Sequence, residues 1–182
     1  MSALSGTPVS AETIFQIVDE VRSRQQIQDQ LHTWTRGADR IDLELMQSAF
    51  HPGANINYGY SNGPVEEFLP WVVKFHSEDL VATSHVIGNV LVKLDGEQAT
   101  SEAGVYCCLR YKGREGLGDL IVAGRYVDKW ARRSGVWRIF DRTSILDWYR
   151  TQEVIRSSEV DPWVKQVTEG LRSRADISYR YV

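Results

Sequence analysis

The chain has 182 residues, of which 42% are apolar and 25% are charged, and its formal net charge is −3. This length and composition predict one globular domain that spans the whole chain, 1–182, and argue against two domains or a disordered chain. The sequence has no run of Lys and Arg typical of nucleic-acid binding, no apolar run near the roughly 18 residues that span a bilayer, and no secretion signal at its N-terminus, so we expect a cytoplasmic protein without nucleic-acid or membrane partners.

Helical periodicity dominates the first forty residues. Residues 1–9 are expected to form a mobile tail. Apolar residues then recur at helical spacing over 14–21 and again over 27–34, which predicts two successive helical stretches. Because the second stretch ends near Gly37, Asp39 should lie at a helix C-terminus or just beyond it. That end of the helix dipole disfavours a carboxylate, so Asp39 is expected to have a cationic partner, an arginine or a histidine.

A short helix, a short strand and a longer helix are predicted next. Asp42 can cap a helix over 43–50, and the alternating residues 54–60 predict a strand. A proline suits the first position of the longer helix, over 64–77. Pro70 inside that pattern predicts a kink or a split.

From residue 82 onwards the period changes to the two-residue alternation of strands. Tight-turn signals and one glycine-rich loop separate four long strands, predicted over 82–94, 98–112, 119–132 and 136–149. Strands of this length should form a curled antiparallel meander. A short helix over 162–172 is predicted within a C-terminal extension, 150–182.

Helices followed by a bent sheet predict an α+β fold. We expect a cone-shaped α+β barrel, with the N-terminal helices packed over the concave face of a strongly curved antiparallel or mixed sheet. The mouth of such a cone is a natural ligand pocket. Six Trp, eight Tyr and five Phe exceed the needs of a core of this size, and aromatic rings also line pockets for flat, ring-bearing ligands.

Three chemically complementary side chains lie far apart in sequence but can meet in such a fold: Asp39, His85 and Arg142. A histidine titrates near neutral pH and can act as a base, while a buried carboxylate can orient it and stabilise the imidazolium. An arginine in the last strand can hold negative charge that develops on an oxygen. The structural alternatives are a helix-end cap or ion pair for Asp39, a satisfied core position for His85, and a strand–strand ion pair for Arg142.

Neither a metal site nor a cofactor site is indicated. The four histidines show no ligand spacing, and no glycine-rich phosphate loop opens a helix. Cys107 and Cys108 are neighbours on a predicted strand, where they should point to opposite faces and are poorly placed to bridge each other. We expect two reduced thiols.

Four segments occur in the order found in a known family: RGADRID over 36–42, FHPGA over 50–54, TSHVIGN over 83–89 and LDGEQA over 94–99. With the order of predicted elements, they resemble the SnoaL-like branch of the nuclear transport factor 2-like superfamily over roughly residues 20–150. Lyases of this group use a histidine–aspartate pair as base and need no cofactor. The resemblance implies these roles for His85 and Asp39, and a pocket-lining role for Arg142.

The resemblance also implies a substrate class. It suggests elimination of water, or of a small fragment such as formaldehyde from a diaryl alcohol of the lignin type, from an aromatic or polycyclic catabolic substrate, by a homodimer or homotrimer. Bile-acid dehydratase-like members carry a tyrosine where this chain has Trp34, whose indole offers only an N–H donor, so Tyr58 or Tyr60 is expected to supply a phenol. Ile56, on the same strand face, and Trp34 complete the expected substrate-binding set. A non-catalytic scaffold, like the β-subunits of ring-hydroxylating dioxygenases, and a ketosteroid-isomerase-like isomerase are the alternatives.

Overall fold

The computed structural model describes residues 9–114, 117–153 and 166–182, in which three α-helices lie against one six-stranded sheet. The helices are α1 (Ala11–Arg40), α2 (Leu43–Ser48) and α3 (Val65–Glu78). The strands are β1 (Phe50–Asn57), β2 (Asn62–Pro64), β3 (Leu80–Asp95), β4 (Gln98–Arg114), β5 (Leu117–Arg133) and β6 (Val136–Gln152), and a 3₁₀ turn covers Ile177–Arg180.

The sheet is mixed and has the strand order β2-β1-β6-β5-β4-β3. β1 runs parallel to β6, and the other neighbouring pairs are antiparallel. The predicted α+β fold, with helices over a curved sheet, is confirmed. Among the strands described, β2 and β3 form the two edges and do not pair with each other, so the sheet is open rather than a closed barrel. The four long strands occur within three residues of their predicted bounds.

α1 is one continuous helix of 30 residues, so the predicted division into two stretches is wrong. Ser10 caps its start, because its Oγ accepts the N–H of Thr13 at 3.1 Å. The apolar side chains of the first three turns are exposed. The buried side chains of α1 lie further along the helix, in the part that covers the sheet. Residues 22–26, between the two apolar stretches, are polar, which interrupts the apolar pattern. Because they include neither glycine nor proline, the helix continues through them.

The segment after α1 differs from the prediction in its strand bounds. Asp42 caps α2 as predicted, accepting the N–H of Leu45 at 3.1 Å, but the helix ends at Ser48. β1 begins already at Phe50, because this residue pairs in parallel with Ile139 of β6.

α3 runs through Pro70 without interruption, so the predicted split is wrong. Pro64 is its N-cap rather than its first residue. The core lies between the inner faces of α1 and α3 and the concave face of the sheet. In the part of the chain described, none of the helices is both long and apolar enough to cross a membrane.

The described C-terminal residues, 166–182, fold back onto the end of α1. Arg174 and the hydroxyl of Tyr179 both donate hydrogen bonds to the carboxylate of Asp42, each at 2.8 Å. Of the helix predicted over 162–172, residues 162–165 lie outside the described residues, and residues 167–172 are not helical, so this part of the prediction is wrong.

We expect Gly37→Ala to destabilise the protein, although alanine is normally the better helix former. A Cβ on Gly37 would lie 2.7 Å from Cγ of Met46 and 2.8 Å from its backbone nitrogen, at the point where α1 meets α2. Such overpacking costs about 1–3 kcal/mol. Urea unfolding measures the loss, with the exposed His32→Ala as control. A Gly37→Ala protein as stable as wild type would contradict this close packing.

Candidate active site

The last turn of α1 and the start of β3 bring Asp39 and His85 together. Oδ1 of Asp39 accepts a hydrogen bond from Nδ1 of His85 at 2.6 Å, and Oδ2 accepts the backbone N–H of His85 at 3.0 Å. The two side chains are 15% and 10% exposed. Because the Nδ1–H of His85 is donated to Asp39, the second ring nitrogen, Nε2, is the one available to a ligand. The partner expected for Asp39 is therefore the histidine. Of the two neighbouring arginines, Arg36 packs on the ring of Tyr179 and Arg40 lies 3.8 Å from the carboxylate of Asp176.

The pair perturbs the titration of both groups. Burial favours the neutral imidazole, but the hydrogen bond to Asp39 and the nearby thiol of Cys107 together raise the pKa of His85 well above 6.5. Burial also disfavours the carboxylate, yet its bonds to His85 lower the pKa of Asp39 below 3.8. Each partner stabilises the charged form of the other. His85 is thus a stronger base than an isolated histidine.

His76 of α3 lies beside this pair. Its ring is nearly parallel to that of His85, with centroids 6.5 Å apart and an interplanar angle of 11°. Nδ1 of His76 lies 3.0 Å from the carbonyl oxygen of Ala38, to which it can donate. Burial lowers the pKa of His76 to about 4, so this ring is neutral at physiological pH. It forms an uncharged, flat wall next to His85.

A cavity of about 450 Å³ opens beside His85. Its wall is mainly apolar, and the rings that line it are Trp34, Tyr58, Tyr60, Phe68, Trp71, Phe75, His76, Tyr111 and Tyr126. Many of these rings contact one another, for example Tyr58 and Phe68 with centroids 4.7 Å apart. A volume and lining of this kind suit a flat hydrophobic ligand. In the described ranges, no three His, Cys, Asp or Glu side chains converge as metal ligands do.

The expected substrate-binding residues divide into two groups. Trp34, Tyr58 and Tyr60 lie on the cavity wall, with Tyr60 70% exposed at the rim. Ile56 does not lie on the wall: it is 1% exposed and packs in the core, which corrects the expectation. The reason is depth, because Tyr58 and Tyr60 follow the end of β1, whereas Ile56 lies within it, opposite Arg142 of β6.

Two polar atoms of the wall are buried without a hydrogen-bond partner among the described residues. They are the hydroxyl of Tyr58 and Nε1 of Trp34. Burial and the neighbouring phenol of Tyr126 raise the pKa of Tyr58 well above 10, so its hydroxyl stays protonated. Both atoms are donors that a polar group of a ligand can satisfy.

Arg142 does not reach the cavity. It is 0% exposed and forms a bidentate ion pair with Asp128 of β5, with Nε–Oδ1 and Nη2–Oδ2 distances of 2.7 Å. The register places Asp128 directly opposite Arg142. The guanidinium carbon lies 4.1 Å from the ring centroid of Tyr126, whose side chain is on the cavity wall. The direct contact with substrate expected for Arg142 is therefore corrected: its charge lies behind Tyr126.

Cys107 is a potentially reactive wall residue that the sequence interpretation missed. It lies opposite His85 in the β3–β4 pair, and both residues line the cavity. If the register of the hairpin turn continued unchanged, His85 would pair with Cys108. A bulge between Ile87 and Val90 shifts the pairing by one residue and brings Cys107 to this position. A glycine–asparagine pair after Ile87 is the only sequence signal of this bulge, and it is weak.

Comparisons with known proteins identify the fold. A protein-family model described as a SnoaL-like domain matches residues 19–143, and no curated protein sequence matches significantly. Hexachlorocyclohexane dehydrochlorinase LinA-type3 from Novosphingobium barchaimii is similar in structure, with a TM-score of 0.68 at 19% identity over 79% of this chain and 99% of that one. A scytalone dehydratase-like protein from Novosphingobium aromaticivorans has a TM-score of 0.68 at 15% identity over 80% and 97% of the two chains. The Kfla4162 protein of Kribbella flavida has a TM-score of 0.64 at 18% identity over 70% and 92%.

We expect NMR titration to give a pKa above 6.5 for His85 and a lower one in Asp39→Asn, because burial then acts without the carboxylate. His51 serves as the internal control, since burial lowers its pKa and neither Asp39 nor His85 contributes to that shift, so its titration should not change. The pair stabilises the fold most between pH 3.8 and 6.5, because both side chains are charged there in the folded and in the unfolded protein. This stabilisation is lost as the pH rises through the folded pKa of His85. An unchanged His85 titration in Asp39→Asn would contradict the coupling.

Asp128→Asn is expected to lower the free energy of unfolding by about 3–5 kcal/mol, because it leaves the guanidinium of Arg142 buried without its counter-charge. For the pair itself, Asp128→Leu and Arg142→Met are made singly and together; the double variant removes both charges and should cost much less than the sum of these two single changes. Urea unfolding of all variants in a double-mutant cycle measures the coupling. Additive effects would show that the two side chains do not depend on each other.

Proposed function

The chain belongs to the SnoaL-like domain family, and from this premise we propose that it is a cofactor-independent lyase whose base is His85. The observation that carries the proposal is the 2.6 Å hydrogen bond between Asp39 and His85 at the wall of an aromatic cavity. The substrate is a small aromatic or polycyclic molecule, because a mainly apolar wall with many rings favours such ligands over polar ones.

The proposed reaction begins with proton abstraction. Neutral His85 keeps its proton on Nδ1, where it is donated to the carboxylate of Asp39, and takes a proton from a carbon of the substrate on Nε2. The electron pair of the broken C–H bond forms the new double bond, and the hydroxyl group on the neighbouring carbon leaves with its bonding electrons. The imidazolium then gives its proton to the leaving oxygen, and water is released. General-base catalysis of this kind contributes about 10²–10⁴-fold.

The leaving oxygen needs a donor, and Tyr58 and Trp34 are the candidates. Each has a buried polar hydrogen without a partner among the described residues. Since the pKa of Tyr58 is raised, its phenol acts as a hydrogen-bond donor rather than as a base. Arg142 is a positioning residue in this proposal: its charge supports Tyr126 and Tyr58 from behind the wall and does not touch the substrate.

The same base supports a second bond cleavage. If His85 takes the proton of a hydroxymethyl group, the C–C bond to that group breaks, formaldehyde is released, and the electron pair forms the double bond as a leaving group departs from the adjacent carbon. A diaryl alcohol also suits a cavity lined by aromatic rings, so loss of formaldehyde is the second reaction that this site supports.

We expect His85→Ala and Asp39→Asn to lower kcat/KM by about 10²–10⁴-fold, because each removes part of the general base. Product formation is followed by mass spectrometry with aromatic alcohols, diaryl propanediols and hexachlorocyclohexane as candidate substrates. In the wild type, kcat/KM should rise as the pH rises through the elevated pKa of His85, because only the neutral imidazole accepts a proton.

His32→Ala is the control, since His32 is exposed on α1 outside the cavity wall. Full activity of folded His85→Ala would exclude His85 as the base. A product that has lost no group from the substrate, and that carries deuterium from D₂O in place of one carbon-bound hydrogen, would instead indicate an isomerase. Copurification with an iron-bearing subunit, without elimination activity, would favour a scaffold role.

A further inference from the structure

The cavity contains a nucleophile that proton abstraction does not use. Cys107 is 8% exposed, belongs to the cavity wall and lies directly opposite His85. Directly opposed residues of antiparallel strands have Cβ atoms about 4.5–5.5 Å apart, so their side chains can interact. His85 lines the same cavity, so the imidazole and the thiol are neighbours across the strand pair.

The neighbours of Cys107 form a cysteine–histidine–aspartate series. Asp39 holds Nδ1 of His85, and the other side of the ring is open to the thiol and to the cavity. A base held in this way can remove the thiol proton, and the thiolate is the reactive form of cysteine. A cysteine on an apolar wall without such a base would instead be a poor nucleophile, because burial raises its pKa.

We propose that Cys107 is a covalent binding site for conjugated carbonyl compounds that carry an aromatic ring. The thiol proton passes to Nε2 of His85, and the sulfur forms a bond to the β-carbon of the ligand. The π electrons of the C=C bond move to the carbonyl oxygen as an enolate, and the imidazolium returns the proton to the α-carbon. The sum is addition of S–H across the double bond, without oxidant or reductant.

The wall offers both parts of the recognition that this ligand class needs. The rings provide an apolar surface for the aromatic group. Nε1 of Trp34, in a residue only 3% exposed, has no hydrogen-bond partner within the described part of the chain and can donate to the carbonyl oxygen. Elimination of water next to a carbonyl would produce ligands of this class, so the thiol could also retain product.

Cys108 provides a matched control within the same strand. It points to the opposite face, where burial and the neighbouring Asp119 raise the pKa of its thiol. The two cysteines are therefore neighbours on the same strand, but only Cys107 lies opposite His85 and lines the cavity.

The test is the rate of alkylation by N-phenylmaleimide, followed by intact-mass spectrometry. Cys107 is measured in Cys108→Ser and Cys108 in Cys107→Ser. We expect Cys107 to react about 10-fold faster or more, since His85 lies opposite it in the same cavity and can accept the thiol proton. His85→Asn should slow Cys107 by a similar factor and leave Cys108 unchanged. Equal rates at the two cysteines, or an unchanged rate at Cys107 in folded His85→Asn, would overturn the proposal.

A second measurement remains decisive if His85→Asn does not fold. N-phenylsuccinimide has nearly the same shape as the maleimide but lacks the reactive double bond. It should slow alkylation of Cys107 in Cys108→Ser by occupying the cavity, and it should not affect Cys108 in Cys107→Ser. Absence of protection at Cys107 would show that its reaction does not involve the cavity. Because alkylation requires no elimination, failure of the lyase assay and failure of this test are distinguishable.

Discussion

The hydrogen bond between Asp39 and His85 is the contact on which the site depends. Asp39 lies in the last turn of α1, where the helix dipole disfavours negative charge, so the carboxylate is stabilised there by its partner. Both of its oxygens bind His85, one at the ring and one at the backbone N–H. The bond therefore joins the helical layer to the sheet and at the same time fixes the ring. A structural constraint and a chemical one are satisfied by the same atoms.

The residues that face the cavity are selected by irregularities in the sheet. Within β3, His85 and Ile87 face inward before the bulge, and Val90 and Val92 face inward after it, because two residues of β3 oppose one residue of β4 there. Without this change, either His85 or the later apolar residues would point away from the helices. The bulge allows one strand to supply a polar group to the cavity and an apolar face to the core.

The charges of the core are separated into layers. His85 lies on the cavity wall with Asp39 bound to its ring, while the ion pair of Arg142 and Asp128 lies behind the ring of Tyr126. A third charged group lies at the periphery, in the C-terminal segment: Arg172 donates hydrogen bonds to the carbonyl oxygens of His76 and Leu80, both at 2.8 Å. These contacts hold the end of α3 and the start of β3, the two elements that carry the stacked histidines, and so support the site without entering it.

Local chemistry explains what the sequence by itself determined. The caps at Ser10 and Asp42, the turn after Asp95 and the periods of helices and strands involve residues a few positions apart, so the neighbouring residues encode them. Asp39 and His85 were recognisable as a pair because their motifs resemble those of a family, together with the unfavourable place of a carboxylate at a helix end. The composition showed that the chain has more aromatic residues than its core needs, but not which of them line the cavity.

Tertiary structure alone decided the rest. The continuity of α1, the counter-ion of Arg142 and the position of Cys107 depend on which segments meet. A single bulge reverses the faces of every residue beyond it, and no local signal of comparable strength marks its place. Likewise, whether a charge reaches a cavity or is buried behind an aromatic ring is determined by strand register and packing, since the same arginine side chain can satisfy either arrangement.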